Sequence, residues 1–496
     1  MKKYIIAIDQ GTTSSRTIIF DKQGNIVSQS QREIPMIYKQ ENYVEQNAYD
    51  IWGTVLSTLA DSMLQGEIDA DEIASIGITN QRETTILWDK RDGKPVYKAI
   101  VWQSRQSNEI CDELKEKGLN DFFKKKTGLL IDPYFSGTKV KWILDNVNGA
   151  KKMMDDGNLL FGTVDSWLLY KLTGHKVHKT DYTNASRTLL FNIFDKKWDE
   201  EILTELGINK NILPEVCDSN SLFGYTATHT FFGKEVPITG VLGDQQSALF
   251  GQLCFEKGSI KNTYGTGCFM LMNTGTTPTI SEKGLLTTIA YTLDGVTTYA
   301  LEGSVFVAGS AIQWLRDSLH FFNDAKDSEN LALSVTSNYG VYVVPAFVGL
   351  GTPYWVSEAK GAIFGLTRGT SIEHITRATL ESLAYQTKDI IDVMKEESSI
   401  SPKFLRVDGG AAMNNFLMQF QSDILNIDII RPKLTESTAL GAAYVAGLSI
   451  GFFKDINELK KLNQADKEFN PNMDKIEREH LYDNWVKAVN ATIKFR

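Results

Sequence analysis

The chain has 496 residues, 42% apolar and 23% charged, and 52 Lys and Arg against 61 Asp and Glu leave a formal charge of −9. That composition excludes a disordered chain, and the acidic balance argues against nucleic acid or an anionic membrane as partner, because both are held by clustered Lys and Arg. The lysines between Lys115 and Lys152 are interleaved with Asp112, Glu113, Glu116, Asp121, Asp145, Asp155 and Asp156, the pattern of a solvated helix face. Cys111, Cys217, Cys254 and Cys268 are too scattered for a disulfide framework or a zinc site. The start, Met-Lys-Lys and then only Tyr4 to Ile8 before Asp9, is too short for the apolar core of a signal peptide. No run approaches the length of a membrane span, so a soluble, cytoplasmic protein is expected.

In chain order, Tyr4 to Ile8 reads as a buried strand, Asp9 to Ser15 as a polar turn and Arg16 to Phe20 as a returning strand. A third strand, Ile26 to Ser30, completes a β-meander. Ile51, Val55, Leu59 and Met63 at i, i+4 spacing predict an amphipathic helix. A strand at Ile76 to Ile78 then leads into the polar cluster Thr79 to Thr84. The middle of the chain repeats this logic: Val236 to Leu242 is a strand delivering Gly243-Asp-Gln-Gln246, and Ser259 to Thr263 and Phe269 to Met272 are strands around the turn Tyr264-Gly-Thr-Gly267. Two strand–turn–strand units therefore lie about 255 residues apart. A long helix carrying Ile375, Leu383, Ile390 and Met394 precedes a strand ending in Asp408-Gly-Gly410, and Lys454 to Met473 reads as a surface connection before a final amphipathic helix. The economical division is two similar α/β halves, 1–250 and 251–496.

A turn of Gly and small hydroxyl residues between two strands presents backbone N–H groups to an anion, and Gly11, Gly265 and Gly267 leave the approach open. One such turn is an ordinary hairpin; two, with Asp9 and Asp244 beside them, suggest a polyphosphate held between two halves. No GxxxxGK[ST], strand-following GxGxxG, HRD or DFG occurs. Gly447-Leu-Ser-Ile-Gly451 matches a hydrolase elbow, but the Ala-rich residues before it read as a helix capped at Gly447. Asp244, at a strand end, is placed either to orient and deprotonate a hydroxyl or to N-cap the helix that follows, and the two roles are compatible. Arg82 and Glu83 either pair with each other or bind a polyol through charge-assisted hydrogen bonds. Trp102, Tyr134 and Phe269 are core residues or the apolar wall of such a pocket.

Together Asp9-Gln-Gly-Thr-Thr-Ser-Ser-Arg16, Asn80-Gln-Arg-Glu83, Gly243-Asp-Gln-Gln246, Tyr264-Gly-Thr-Gly267 and Asp408-Gly-Gly410 resemble the FGGY family of carbohydrate kinases. Both family signatures are present, one over Tyr134 to Asn146, the other from Gly361-Ala-Ile-Phe-Gly-Leu366 through His374-Ile to Ala378-Thr-Leu-Glu381. The resemblance runs from residue 4 to about 450. Asn80 to Glu83 and Val101-Trp-Gln-Ser-Arg105 are similar to the members that act on glycerol. The resemblance implies a two-domain actin-like ATPase fold of the ribonuclease H type, with a cleft between the domains, and transfer of a phosphoryl group from ATP to glycerol, giving sn-glycerol 3-phosphate. By motif, Arg82, Glu83, Tyr134, Asp244 and Gln245 would bind glycerol, with Trp102 and Phe269 packing on its carbons and Asp244 as general base. Thr12, Thr13, Ser14, Arg16 and Thr266 would hold the phosphates, and Gly309, Gln313, Gly410 and Asn414 the rest of ATP. Asp9 would position Mg²⁺ through water. A homo-oligomer, dimer or tetramer, is also implied. The alternatives are a relative acting on another polyol or ketose, and a non-enzymatic actin-like ATP switch.

Regulation follows from one short segment. Some relatives are activated when the phosphotransferase protein HPr phosphorylates a His just before a Phe-aromatic-Gly stretch, and others bind fructose 1,6-bisphosphate through an Arg-containing loop nearby. In Thr228-His-Thr-Phe-Phe-Gly-Lys234, Thr230 takes the place of that His, His229 lies one residue earlier, and no Arg lies between His229 and Val236. On an extended segment a one-residue offset turns the side chain to the opposite face, so neither form of regulation is expected.

Overall fold

The computed structural model describes residues 2–356, 358–462 and 465–495. Two mixed sheets organise it. The first is built from β1 (Tyr4–Gln10), β2 (Ser14–Phe20), β3 (Ile26–Glu33), β4 (Ile73–Asn80), β5 (Gly224–Tyr225) and β6 (Pro237–Gly243), in the order β5-β6-β4-β1-β2-β3. β1 and β2 pair antiparallel, with Asp9 opposite Arg16, whereas β4 runs parallel to both β1 and β6. Ile5, Ile6 and Ile8 are fully buried because both faces of this sheet are covered, which is why β1 reads as a continuous apolar run. One cover is α1 (Ala48–Gln65), whose Ile51, Val55, Leu59 and Met63 face inward and whose N-cap Asn47 accepts from the Tyr49 amide.

The second sheet repeats the plan with β7 (Ile260–Tyr264), β8 (Cys268–Gly275), β9 (Leu286–Leu293), β10 (Val296–Val305), β11 (Phe404–Gly409), β12 (Asp428–Pro432) and β13 (Ala465–Phe469), in the order β9-β10-β8-β7-β11-β12-β13. Omitting its edge strands β9 and β13, and β5 from the first, leaves the same 3-2-1-4-5 order in each sheet. Three antiparallel strands are followed by two parallel ones in both, so each half places a tight turn after its first strand.

Two helices join the halves. α2 (Asp244–Gly251) continues directly from β6, and α3 (Ser437–Ser449) follows β12 yet packs on β1, β4 and β6 of the first sheet. They touch backbone to backbone: a Cβ at Gly441 would overlap the Ser247 carbonyl oxygen, and one at Gly251 the Ser437 carbonyl oxygen. Leu249, Phe250, Ala442, Ala443 and Val445 share one buried cluster with Ile5 and Ala7 of the first sheet and Leu271 of the second.

Three expectations need correction. Lys454 to Met473 is not merely a surface connection: a helix, Ile456–Leu462, buries Leu459, and β13 pairs antiparallel with β12. Four of the five β13 residues are exposed, so its backbone pairing carries no apolar signature in sequence. Gly447 does not cap α3, which continues to Ser449; its missing Cβ instead admits the Phe453 ring. Gly243, not Asp244, occupies the N-cap of α2, and Asp244 is its first helical residue. No helix among the described residues is long and apolar enough to cross a membrane.

Candidate active site

Arg82 and Glu83 lie just beyond the C-terminal end of β4. They do not serve chiefly as partners for each other: the Arg82 Nε lies 3.8 Å from Glu83 Oε1, and each has a better partner. The Arg82 guanidinium forks onto Glu302 of β10, with Nη1 2.6 Å from Oε2 and Nη2 3.0 Å from Oε1. Arg187 donates from Nε to Glu83 Oε1 at 2.6 Å and from Nη2 to Glu302 Oε1 at 3.1 Å. All four side chains are buried. Burial by itself would raise the Glu302 carboxyl, yet the Arg187 and Arg82 guanidiniums hold it down at about 2, so it stays ionised as the anchor of the cluster. The partners Arg187 and Glu302 were not found from sequence. The available signal was a lone charge inside an apolar strand, as in Ala300-Leu-Glu-Gly-Ser-Val305.

Asp244 stands at the edge of this cluster with its side chain 27% exposed. Its Oδ1 lies 3.2 Å from Arg82 Nε and accepts the Gln245 amide at 2.7 Å. Burial raises its carboxyl above the usual range, opposed by Arg82 and reinforced by Asp9 at the end of β1 in the same sheet. Lys261 of β7, fully buried, donates to Gln245 Oε1, to Thr263 Oγ1 at 3.0 Å and to the Phe269 carbonyl at 3.2 Å. Its burial pushes its ammonium down to about 8. Lys261 thus ties the helix bearing Asp244 to the strands of the second half, another link that sequence reasoning missed.

Trp102, Tyr134 and Phe269 come together from three distant stretches. The Trp102 ring meets Tyr134 edge-on at 5.5 Å between centroids and Phe269 at 6.4 Å. Phe269 belongs to the second half, so this wall spans the cleft. Trp102 Nε1 also donates to Thr12 Oγ1 at 2.9 Å, joining the aromatic wall to the first turn.

That turn is held by its own backbone: the Gly11 amide donates to the Ser14 carbonyl, and the Thr13 and Thr12 carbonyls accept from the Ile34 amide and the Gln46 side chain. Thr13 is exposed, whereas Thr12 and Ser14 are half-buried. Arg16 donates to Asp9 Oδ2 at 2.8 Å and to Glu436 Oε2 at 2.5 Å, bridging the two halves. In the second turn the Gly265 and Thr266 carbonyls accept the amides of Gly309 and Ser310, which begin α4 (Gly309–Asp317). Thr266 itself is exposed, as is Gln313 on α4. Asn414 is used locally: its Oδ1 caps α5 (Asn415–Leu425) through the Leu417 amide, and its Nδ2 donates to Ser328 Oγ at 3.3 Å.

Between the turns lies a cavity of about 320 Å³ lined by Arg16, Thr263, Asp408, Gly410, Glu436 and Thr438 among others. Gly409, at its edge, has φ +85°, and a Cβ there would overlap the Tyr264 carbonyl. The Asp408 Oδ1 is buried without a hydrogen-bond partner. Asp9 lies beside Arg16, its carboxyl raised by burial against the pull of that guanidinium. No group of three or more His, Cys, Asp or Glu among the described residues forms a metal cage. The single Asp9 carboxylate at the end of β1 suits Mg²⁺, which keeps several waters and is usually held by one or two carboxylates together with substrate phosphates.

Two repeated α/β halves, a small-residue turn from each and a charged, aromatic-walled pocket between them define a sugar- or polyol-kinase architecture. The chain belongs to the FGGY family of carbohydrate kinases: the family's N-terminal domain matches residues 4–251 and its C-terminal domain residues 260–450. It is 62% identical to a glycerol kinase of Bacillus licheniformis and 60% identical to one of Bacillus subtilis, each over 496 residues and the whole of both chains. It also matches the crystal structure of Plasmodium falciparum glycerol kinase with ADP, at 37% identity and a TM-score of 0.94, over 99% of this chain and 98% of that one. A xylulose kinase from Lactobacillus acidophilus, 24% identical with a TM-score of 0.89 over both whole chains, shares the fold.

Proposed function

We propose that this chain catalyses transfer of the γ-phosphoryl group of ATP to glycerol, giving sn-glycerol 3-phosphate. The observation that carries the reading is that Arg82 pairs with Asp244 beside Glu83, while Lys261 joins Gln245 to the carbonyl of Phe269, whose ring meets Trp102 and, through it, Tyr134. Full-length identity of 60–62% to glycerol kinases supports it. Glycerol's hydroxyls would meet Arg82, Glu83, Tyr134, Asp244 and Gln245, and its carbons would pack on Trp102 and Phe269. Asp244 acts as general base: it orients the reacting hydroxyl and takes its proton late, since a carboxylate is a weak base toward an alcohol.

A phosphoryl transition state of loose character leaves the protein mainly positioning and charge neutralisation. Thr12, Thr13, Ser14, Arg16 and Thr266 are assigned to the phosphates, and Gly309, Gln313, Gly410 and Asn414 to the remainder of ATP. Mg²⁺, held by the phosphates and, through water, by Asp9, would neutralise developing charge when bound. The division at 250/251, a homo-oligomer and a cytoplasmic location belong to the same reading. A coupled assay with ATP and Mg²⁺ against glycerol, dihydroxyacetone and pentuloses tests it. The expected result is the highest kcat/KM for glycerol; a pentulose preferred tenfold over glycerol, or ATP hydrolysis with no phosphorylated product, would overturn it.

A further inference from the structure

Glu83 is the one residue of the pocket whose backbone adopts a left-handed conformation, with φ +60°. The Thr84 amide donates to the Arg82 carbonyl at 2.7 Å, two residues back, so Glu83 sits at the centre of a γ-turn. This form of the turn is rare and strained, and left-handed backbone is unfavourable for a residue with a Cβ. Such a conformation persists only where its surroundings over-determine it.

The surroundings here are specific. The Glu83 carbonyl accepts three side-chain donors: Ser136 Oγ at 3.0 Å, Thr85 Oγ1 at 3.1 Å and Lys139 Nζ at 3.2 Å. Lys139 Nζ also donates to the Tyr134 carbonyl at 2.6 Å. Ser136 and Lys139 share one helix, Ser136–Asn146, which carries the first family signature, and both are fully buried. Burying an amine is unfavourable, and it pushes the Lys139 ammonium down to about 7; either protonation state keeps N–H donors for both carbonyls.

We infer that Ser136 and Lys139 are positioning residues for the polyol pocket: they clamp Glu83 in its strained turn and fix Tyr134 relative to it. Neither side chain would touch substrate. The carboxylate of Glu83 is steered from the other side by Arg187 Nε at 2.6 Å, so backbone and side chain are held by different elements. The inference rests on the polyol-kinase reading for its kinetic arm only.

Two variants and two readouts test it. In Lys139→Met, which keeps the volume and removes the donors, the KM for glycerol should rise about tenfold, as loss of two buried hydrogen bonds implies. The KM for ATP should stay within twofold. Ser136→Ala should raise the glycerol KM about threefold, and Ser136→Thr, which retains the hydroxyl, should restore it. Hydrogen exchange of the peptide spanning residues 80–85 reports the turn without reference to activity, and it should quicken in Lys139→Met and Ser136→Ala. Unchanged exchange would overturn the clamp, and quicker exchange with an unaltered glycerol KM in both variants would overturn its role in positioning the pocket. If Lys139→Met does not fold, the Ser136 pair decides. A wild-type protein inactive on glycerol would defeat the substrate reading, and the exchange measurement would still decide whether these residues hold the turn.

Discussion

Asp244 keeps an exposed edge on an otherwise buried charge cluster, so it can meet a substrate hydroxyl where Glu302, fully enclosed, cannot. Asp244→Asn preserves the shape but removes the proton acceptor; kcat should fall by about 100-fold or more while glycerol affinity stays within about tenfold. Isothermal titration beside steady-state kinetics separates the two effects, and retention of more than a few per cent of kcat would remove Asp244 from its role. Burial raises the Asp244 carboxyl, and a base works only when deprotonated. The rate should therefore decline as pH falls through a point above the ~3.9 of a free Asp. A pH–rate profile should show this acid limb in the wild type and its absence from the residual activity of Asp244→Asn. The residues that hold Asp244 were harder to read than Asp244 itself. Lys261 and Glu302 look like ordinary strand residues until the fold brings Gln245 and Arg82 to them.

At the scale of single elements, the Thr228 to Gly233 segment changes the basis of an expectation. It is a turn rather than an extended segment, closed by the Thr230 and Phe231 amides on the Ala227 carbonyl and the Gly233 amide on the Thr228 carbonyl. A one-residue offset therefore does not simply invert the face. It separates an exposed His229 from Thr230, whose hydroxyl is tied inward to the Leu172 and Ala227 carbonyls. The position where the family resemblance leads one to expect a modified His is thus filled here by a structural hydroxyl. Incubation with phosphorylated HPr should leave the rate unchanged, and phosphate on His229 with a several-fold faster rate would refute that. β1 to β4, β6 to β8, β11 and α1 were legible because their periodicities reflect burial on one or two faces, whereas β5, β9, β10 and β12 were not read. β13 was not, because an edge strand with a polar surface is specified by its neighbour's free backbone groups rather than by its own side chains.

For the whole molecule, α2 and α3 decide how the halves meet. Gly441→Ala would force a Cβ into the Ser247 carbonyl, and overpacking of this kind costs about 1–3 kcal/mol. A lowered melting temperature is expected, and an unchanged one would show that the helices separate freely. Ion pairs and ring contacts already cross the cleft, among them Arg16–Glu436, Arg82–Glu302 and Trp102–Phe269. Glycerol with a non-hydrolysable ATP analogue should draw the halves closer and reduce the radius of gyration in small-angle scattering. Identical profiles with and without the ligands would count against closure.

The amino-acid sequence by itself determined the two-fold strand–turn–strand plan, the paired glycine turns and the acids at strand ends. These are local: a strand's burial and a turn's small residues are written in adjacent positions. Which charges meet was decided only by the tertiary structure. Arg82 finds Glu302 220 residues away and Arg16 finds Glu436 420 residues away, because two sheets and the crossing of α2 and α3 bring those strand ends and loops to one cleft. The same holds for Glu83, whose strained turn leaves no mark in its own sequence and is stabilised by donors from a helix more than fifty residues downstream. A contact between distant side chains depends on the packing that joins their elements, and no periodicity in a single stretch of chain encodes it.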